Sequence, residues 1–258
     1  MPTQGPFQRG NFNISLAGSA IFALGRVADA PLQYLMFSQG WAAMTLRALG
    51  LRINNDVVTA GPGIAGLGPI PTLLTGMYAI AGLRHVYWTV FIITTSCSPA
   101  SAFQIAVYNA TVNLINTLVA VAILSSAPPP VPGSITGNFG WKQWAGLILF
   151  AVGILLEMLA EGSRKEFKAN PRTKGKLDDT RLWSVVRHPN YLGYLLWRIG
   201  LALTAGSLIS TVVLNTLQFS IFYFKGIPDI TGYMETKYGK QWGAYKKRVP
   251  SAMIPFLL

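Results

Sequence analysis

The chain has 258 residues, of which 51% are hydrophobic and only 12% are charged, and its mean hydropathy is +0.40. A soluble domain commonly devotes about a quarter of its residues to Asp, Glu, Lys and Arg. This composition excludes an ordinary soluble domain and indicates an integral membrane protein. Cys97 is the one cysteine, which excludes an intramolecular disulfide and a cysteine-based metal cluster.

The net charge of +12 is concentrated in the C-terminal part of the chain. Residues 1–163 hold 6 Lys/Arg against 4 Asp/Glu, whereas residues 164–258 hold 15 against 5. A basic segment can serve nucleic acid, anionic lipid or a phosphorylated ligand. Since these basic residues flank apolar runs, they fit the positive-inside rule, and we expect a cytosolic face in contact with membrane lipids and no nucleic-acid partner.

The apolar runs predict membrane-spanning helices, which need about 20 mostly apolar residues each. In chain order, the first two candidates are Phe12–Leu24 and Pro31–Leu49, of which one spans and the other is tilted or interfacial. Three clearer spans follow at Pro69–Ser96, Ser101–Ser126 and Trp144–Ala160.

The last apolar run, Tyr191–Phe224, is too long for one crossing, since a single helix of that length would extend about 50 Å. It predicts a helical hairpin that turns near Ala205–Ser207 and brings Arg164–His188 and Lys225–Leu258 to one face. The predicted fold class is all-α: a polytopic integral membrane helical bundle of about five to seven transmembrane helices without a sheet.

Several short motifs occupy the C-terminal half. They are Glu161-Gly-Ser-Arg-Lys-Glu-Phe-Lys-Ala-Asn-Pro171, Lys174-Gly-Lys176, Leu182-Trp-Ser-Val-Val-Arg-His-Pro-Asn-Tyr-Leu-Gly193, Lys237-Tyr-Gly-Lys-Gln-Trp-Gly-Ala-Tyr-Lys-Lys-Arg-Val-Pro250 and Ile254-Pro255. Together they resemble the steroid 5-alpha-reductase C-terminal superfamily, especially its DUF1295 membrane proteins and delta-14 sterol reductases. Isoprenylcysteine carboxyl methyltransferases share a similar Arg-His-Pro-x-Tyr-x-Gly box and tail.

The resemblance covers about residues 144–258 and implies a cofactor-binding region there, with residues 1–143 forming helices on the substrate side. It implies an NADPH-dependent reductase of a carbon–carbon double bond in a sterol or other lipophilic molecule, with the endoplasmic reticulum as the expected membrane. The alternative cofactor is S-adenosylmethionine.

Carried over residue by residue, the resemblance implies a cofactor site along the basic face. Arg164 and Lys168 correspond to two basic residues on NADPH, and their spacing places them on one helical face. Trp183, Asn190 and Tyr191 correspond to the adenine and ribose end. The other implied positions are Glu157, Glu161, Arg187, His188, Tyr194, Met234, Lys237, Tyr238 and Tyr245.

The chain departs from the reductase pattern at two places. Tyr194 stands where many reductases carry Asp or Glu directly after the box glycine. Ile230 and Thr231 stand where sterol reductases carry acidic residues and the carboxyl methyltransferases carry paired glutamates. The second departure argues against isoprenylcysteine methylation.

Structural interpretations of the same residues remain open. Basic residues such as Arg164 and Lys168 are common at the cytoplasmic end of a transmembrane helix. Asn190 follows Pro189 and is a common residue type at a helix N-cap. An acidic residue inside a span is by default functional, although a partner such as Arg198 would give Glu157 a structural role.

A double-bond reductase also needs a proton donor. Tyr78, His85 and Tyr87 are the candidates, because they lie in an apolar segment where ionisable side chains are rare. The alternative is that Arg84, His85 and Tyr87 mark a helix end at the membrane surface.

Three functional hypotheses follow: an NADPH-dependent reductase, an S-adenosylmethionine-dependent methyltransferase, and a non-catalytic lipid-binding protein of the same fold. In each of them the expected partner is a lipophilic small molecule.

Overall fold

A computed structural model describes residues 7–8, 10–11 and 13–257 of the chain. The described residues are mainly helical. The α-helices are α1 Leu16–Ser38, α2 Trp41–Ala48, α3 Asp56–Thr59, α4 Pro69–Tyr87, α5 Pro99–Leu124, α6 Trp141–Ala169, α7 Pro189–Thr204, α8 Leu208–Ile221, α9 Ile227–Tyr238 and α10 Lys240–Arg248. Single π-helical turns at Trp88–Ile92 and Phe222–Gly226 follow α4 and α8.

Three segments of the described chain are long and apolar enough to cross a membrane: Pro99–Leu124, Trp141–Ala169 and Leu208–Tyr238. With α1, α4 and α7 packed beside them, they confirm the predicted all-α membrane bundle. The number of five to seven crossings stays a prediction.

The first helix corrects the sequence interpretation. We expected a break between Phe12–Leu24 and Pro31–Leu49, but α1 continues through Pro31 and ends at Ser38. Neighbouring helices and local adjustments can satisfy the backbone groups that a proline frees inside a membrane helix. Phe12 itself lies outside the described residues.

Two further features differ from expectation: the end of α6 and the presence of a short β-pair. Helix α6 does not end at Glu161 but runs on to Ala169, because a polar face is tolerated where the helix leaves the membrane. A two-residue antiparallel pair, β1 Phe7–Gln8 with β2 Ser96–Cys97, also replaces the expected absence of strands.

The predicted hairpin is confirmed. Helices α7 and α8 meet at residues 205–207, where Gly206 has a φ of 102° that suits glycine. Ser207 caps α8 by accepting a hydrogen bond from the Ser210 backbone N–H. Lys142, at the start of α6, donates to the Gly206 carbonyl at 2.7 Å. The turn therefore lies at the opposite end of the bundle from the basic loop.

Glycines bring α6 and α7 close together. A Cβ atom added at Gly153 would collide with the Trp197 backbone nitrogen, and one added at Gly193 would lie 2.7 Å from the Glu157 nitrogen. Small residues let membrane helices approach at backbone distance. This close contact holds the side chains of Glu157 and Trp197 against each other.

Candidate functional site

A cavity of about 480 Å³ lies where α7 begins and α8 ends, lined by residues from both halves of the chain. This volume is within the range of small-molecule sites, about 300–1,000 Å³. The apolar part of its lining consists of Phe22, Trp88, Ile105, Ile221 and Phe222. A lipophilic molecule is compatible with that part of the lining.

The lining of the cavity also carries acidic groups, two of them from α6. Glu157 and Glu161 lie four residues apart and therefore share one helical face, and Asp229 on α9 also lines the cavity. Glu161 is 4% exposed. Its Oε2 accepts from Arg164 at 2.6 Å and its Oε1 accepts from Asn190 at 2.8 Å.

Glu157 forms a buried ion pair inside the bundle. Its Oε1 lies 2.8 Å from Arg84 Nη2, and its Oε2 accepts from Trp197 Nε1 at 2.9 Å. Glu157 therefore has a structural partner, as the structural alternative allowed. That partner is Arg84 and not Arg198, because the helix packing turns Arg198 toward the asparagines of α5.

The side-chain oxygen of Asn190 is a hydrogen-bond acceptor that has no donor among the described residues. Its Nδ2 donates to Glu161, while its Oδ1 is buried and receives no hydrogen bond from the described part of the chain. A buried acceptor of this kind normally has a partner. Since Asn190 lines the cavity, a ligand that donates hydrogen bonds would satisfy it.

Arg198 lies behind the cavity wall and binds neutral oxygens. Its Nη1 donates to Asn113 Oδ1 at 2.9 Å, and its Nη2 donates to Asn109 Oδ1. Nε and Nη2 both donate to the Tyr194 hydroxyl oxygen, at 3.2 and 3.1 Å. Tyr194 lines the cavity one helical turn below Asn190.

The structure brings six of the sequence-predicted site residues to the cavity. They are His85, Glu157, Glu161, Asn190, Tyr191 and Tyr194. The other predicted residues do not line it. They are Tyr78, Tyr87, Arg164, Lys168, Trp183, Arg187, His188, Met234, Lys237, Tyr238 and Tyr245.

The two aromatic rings that the resemblance assigns to the adenine and ribose end contact other groups of the protein. The Arg164 guanidinium lies 5.0 Å from the Trp183 ring centroid, and Trp183 is buried and donates to the Ala160 carbonyl at 3.2 Å. Tyr191 lies between His188 and Phe222, with centroid distances of 5.3 and 4.3 Å.

The tail closes over the basic loop. Arg187 Nη1 donates to the Val249 carbonyl at 2.8 Å, and the His188 backbone N–H donates to the Ala252 carbonyl. Tyr245 donates to the Trp183 carbonyl at 2.6 Å, and burial raises the pKa of its hydroxyl, so that it stays protonated.

The tail helices hold the remaining predicted cofactor residues. Met234 and Tyr238 pack against a cluster of Leu177, Trp242, Tyr245 and Val249. Lys237 lies over the rings of Tyr233 and Tyr238, and Lys168 is exposed at the end of α6.

The predicted proton donors separate in space. His85 lines the cavity, Tyr78 is fully buried and donates to the Asn113 carbonyl at 3.2 Å, and Tyr87 is 46% exposed beside Phe91. Arg84 and His85 are both buried. Helix α4 ends at Tyr87 with both residues in its last turn, so the helix end of the alternative is present, and its position at the membrane surface stays a prediction.

Sequence reasoning missed the role of Arg198 and of its asparagine partners on α5. A signal was present, because Arg, Asn and Gln are rare inside membrane helices and face the bundle interior. Tyr108 and Gln218 belong to the same group: the Tyr108 hydroxyl donates to Gln218 Oε1 at 2.6 Å across the cavity wall.

Among known proteins, the chain is similar to one of Ustilaginoidea virens named "Probable O-methyltransferase ustE". The two are 27% identical over 234 residues, which cover 87% of this chain and 81% of the relative. Protein-S-isoprenylcysteine O-methyltransferase B of Arabidopsis thaliana is 30% identical over 122 residues, 45% of this chain and 61% of the relative.

The Delta(14)-sterol reductase TM7SF2 of Mus musculus is 33% identical over 75 residues, 29% of this chain and 18% of the relative. The chain thus spans most of the Ustilaginoidea protein but less than two thirds of the Arabidopsis and mouse proteins. These relatives are enzymes by name, and they belong to both reaction classes considered from the sequence.

The family itself is shown by a match over most of the chain. Residues 86–249 fit the family described as "Protein of unknown function (DUF1295)". This region contains α5 to α10, Glu157, Glu161 and the whole Arg-His-Pro-Asn-Tyr-Leu-Gly box. The chain is therefore an integral membrane protein of the DUF1295 family, within the steroid 5-alpha-reductase-like superfamily.

Proposed function

We propose that this protein is an S-adenosylmethionine-dependent methyltransferase that acts on an oxygen of a lipophilic small molecule. The observation that carries the proposal is the acceptor-rich wall of the cavity. Glu157, Glu161 and Asp229 line it together with the undonated Oδ1 of Asn190.

The proposal for S-adenosylmethionine rests on the difference in charge between the two cofactors. S-adenosylmethionine carries a sulfonium and an ammonium group, whereas NADPH is a polyanion. The Lys and Arg side chains that line the cavity are Arg84 and Lys225, and Arg84 is already paired with Glu157. Glu161 is likewise paired, with Arg164, which does not line the cavity. The lining itself carries three carboxyl groups against two basic groups, and this balance favours a cationic ligand over a polyanion.

In this proposal Glu161 and Asn190 hold the ammonium or ribose hydroxyls, because they supply acceptors at the mouth of the cavity. S-adenosylmethionine, when bound, supplies an electrophilic methyl group. The apolar residues of the cavity hold the methyl acceptor and exclude water. Residues 144–258 thus provide most of the cofactor contacts, and α1, α4 and α5 provide many of the contacts to the methyl acceptor.

The relatives support the same direction. The relative that covers 87% of this chain is named as an O-methyltransferase, and a second relative is named as an isoprenylcysteine O-methyltransferase. Because Ile230 and Thr231 replace the paired glutamates of the carboxyl methyltransferases, an isoprenylcysteine acceptor is not part of the proposal.

A ligand screen on the purified full chain in lipid nanodiscs tests this proposal. S-adenosylhomocysteine should raise the thermal unfolding temperature and give saturable binding by isothermal titration, whereas NADP+ and NADPH should do neither. Saturable NADPH binding without S-adenosylhomocysteine binding would contradict it.

An NADPH-dependent double-bond reductase is the second candidate. It is favoured by the basic cluster outside the cavity, where Arg164 and Lys168 share one face of α6 and Lys237 lies near Lys168. If this candidate is correct, Arg164→Ala and Lys168→Ala should weaken NADPH binding more than NADH binding.

A further inference from the structure

One buried basic group of the helices around the cavity has no ion-pair partner among the described residues. Among the described residues, the buried arginines in the bundle are Arg26, Arg84 and Arg198, and the buried carboxyl groups are Asp29, Glu157 and Glu161. Glu161 pairs with Arg164 at the end of α6. Arg26 pairs with Asp29 at 2.9 Å, and Arg84 pairs with Glu157. Arg198 has no ion pair with a described residue.

The partners of Arg198 do not neutralise its charge. The oxygens that accept its hydrogen bonds belong to Asn109, Asn113 and Tyr194. Asn113 also donates to Asp29 at 2.6 Å, but that carboxylate already pairs with Arg26. A buried cation without a counter-ion is costly in a low-dielectric interior, which makes an anionic ligand a natural complement.

Tyr194 connects this charge to the cavity. Its oxygen accepts two N–H groups from Arg198, so its own O–H is available as a donor, and in the structure it points to Asn109 Oδ1 at a long 3.3 Å. A hydroxyl that accepts from a guanidinium is a stronger donor. Tyr194 and Asn109 both line the cavity.

We propose that the Tyr194 hydroxyl, backed by Arg198, forms an oxyanion-binding site for the methyl acceptor, which is therefore an acidic hydroxyl compound such as a phenol or enol. The identity of the ligand as a methyl acceptor rests on the proposed function. The two ends of the cavity then have opposite character: carboxyl groups near Glu161 suit the cationic cofactor, and Arg198 suits the anionic oxygen.

Binding of a chromophoric phenol tests the site without requiring turnover. The probe is a 4-alkyl-2-nitrophenol, whose phenolate absorbs visible light, and its methyl ether is the neutral control. With the full chain in nanodiscs and S-adenosylhomocysteine present, the bound phenolate-to-phenol ratio should exceed that in empty nanodiscs at least tenfold. An equal ratio overturns the proposal.

Variants assign the effect to the two residues. Arg198→Gln should lose the phenolate excess, Arg198→Lys should keep part of it, and Tyr194→Phe should reduce it. Lys142→Gln, which removes a basic group at the far end of α6, is the matched control and should keep the full excess. Retention of the excess in both Arg198→Gln and Tyr194→Phe overturns the proposal.

S-adenosylhomocysteine binding in the same samples separates this inference from the proposed function. A phenolate excess that depends on Arg198 but occurs without S-adenosylhomocysteine binding supports the oxyanion site and contradicts methyl transfer. If Arg198→Gln fails to fold, the wild-type comparison with empty nanodiscs and Tyr194→Phe decide the outcome, because the latter keeps the ring and its packing.

Discussion

Glu161 is the residue on which the cofactor proposal depends most. It is buried and accepts hydrogen bonds from Arg164 and Asn190 at the cavity mouth. In the structure these two residues donate to its two oxygens, which fixes the orientation of the carboxylate beside the cavity. A cationic ligand adjacent to Glu161 gains a charged partner that a polyanion would not.

Glu161→Gln should weaken S-adenosylhomocysteine binding by roughly tenfold to a hundredfold, since a hydrogen bond to a charged group contributes about 1.5–3 kcal/mol. Isothermal titration in nanodiscs measures the change. Glu166→Gln is the matched control, because Glu166 is on the same helix but is 71% exposed and pairs with Arg181. Equal affinity in the wild type and Glu161→Gln would rule out this role.

Arg84 and Glu157 form a buried pair whose members depend on each other. Arg84→Met leaves the Glu157 carboxylate without its cation, and removing one partner of a buried pair costs about 3–5 kcal/mol. Thermal unfolding in nanodiscs should therefore show a large loss for Arg84→Met and a smaller one for the double variant Arg84→Met with Glu157→Leu. A double variant as unstable as the single one would contradict this account.

At the scale of helices, the α6–α7 contact positions most of the site. Glu157 and Glu161 lie on one helix, Asn190, Tyr194 and Arg198 on the other, and glycines at 146, 153, 193 and 200 let the two backbones approach. The distance between the acidic wall and the oxyanion site is therefore set by backbone packing, and it does not depend on a mobile loop.

Gly153→Ala should destabilise the bundle by about 1–3 kcal/mol, since its new methyl group would collide with the Trp197 nitrogen and the Gly193 carbonyl. Gly162→Ala, on the same helix, meets no atom within 4 Å and should be neutral or stabilising by about 0.5–1 kcal/mol. Thermal unfolding of the two variants in parallel measures the contrast. Similar losses for both would show that helix contact is not the cause.

At the scale of the whole molecule, the basic loop, the end of α8 and the tail lie at one end of the bundle. The α7–α8 turn and the start of α6 lie at the other end. The positive-inside rule predicts that the first end faces the cytosol. The cavity, lined by the start of α7 and the end of α8, lies toward that same end.

This orientation is testable in sealed microsomes with a Cys97→Ala background. A cysteine introduced at Lys174, which is exposed in the basic loop, should react with a membrane-impermeant maleimide added outside. A cysteine introduced at Ser134, exposed near the start of α6, should react only after detergent treatment. The reverse pattern would invert the topology.

Local features of the chain were sufficient to predict the membrane class, the helical hairpin, the end of the bundle that carries the basic residues, and the family. These properties depend on composition, on the length of apolar runs and on short motifs. The turn at 205–207 is an example: the run Tyr191–Phe224 is too long for one crossing, whatever surrounds it. Glu161, Asn190 and Tyr194 were also identified from the motifs that carry them.

Only the tertiary structure decided which of these groups meet. Glu157 pairs with Arg84 rather than Arg198, and Arg198 binds asparagines that lie 85 and 89 residues earlier in the chain. Such partners depend on the rotation of each helix and on how closely glycines allow α6 and α7 to pack. For the same reason Trp183 contacts Arg164 outside the cavity, and Tyr191, which does line the cavity, stacks on His188 and Phe222.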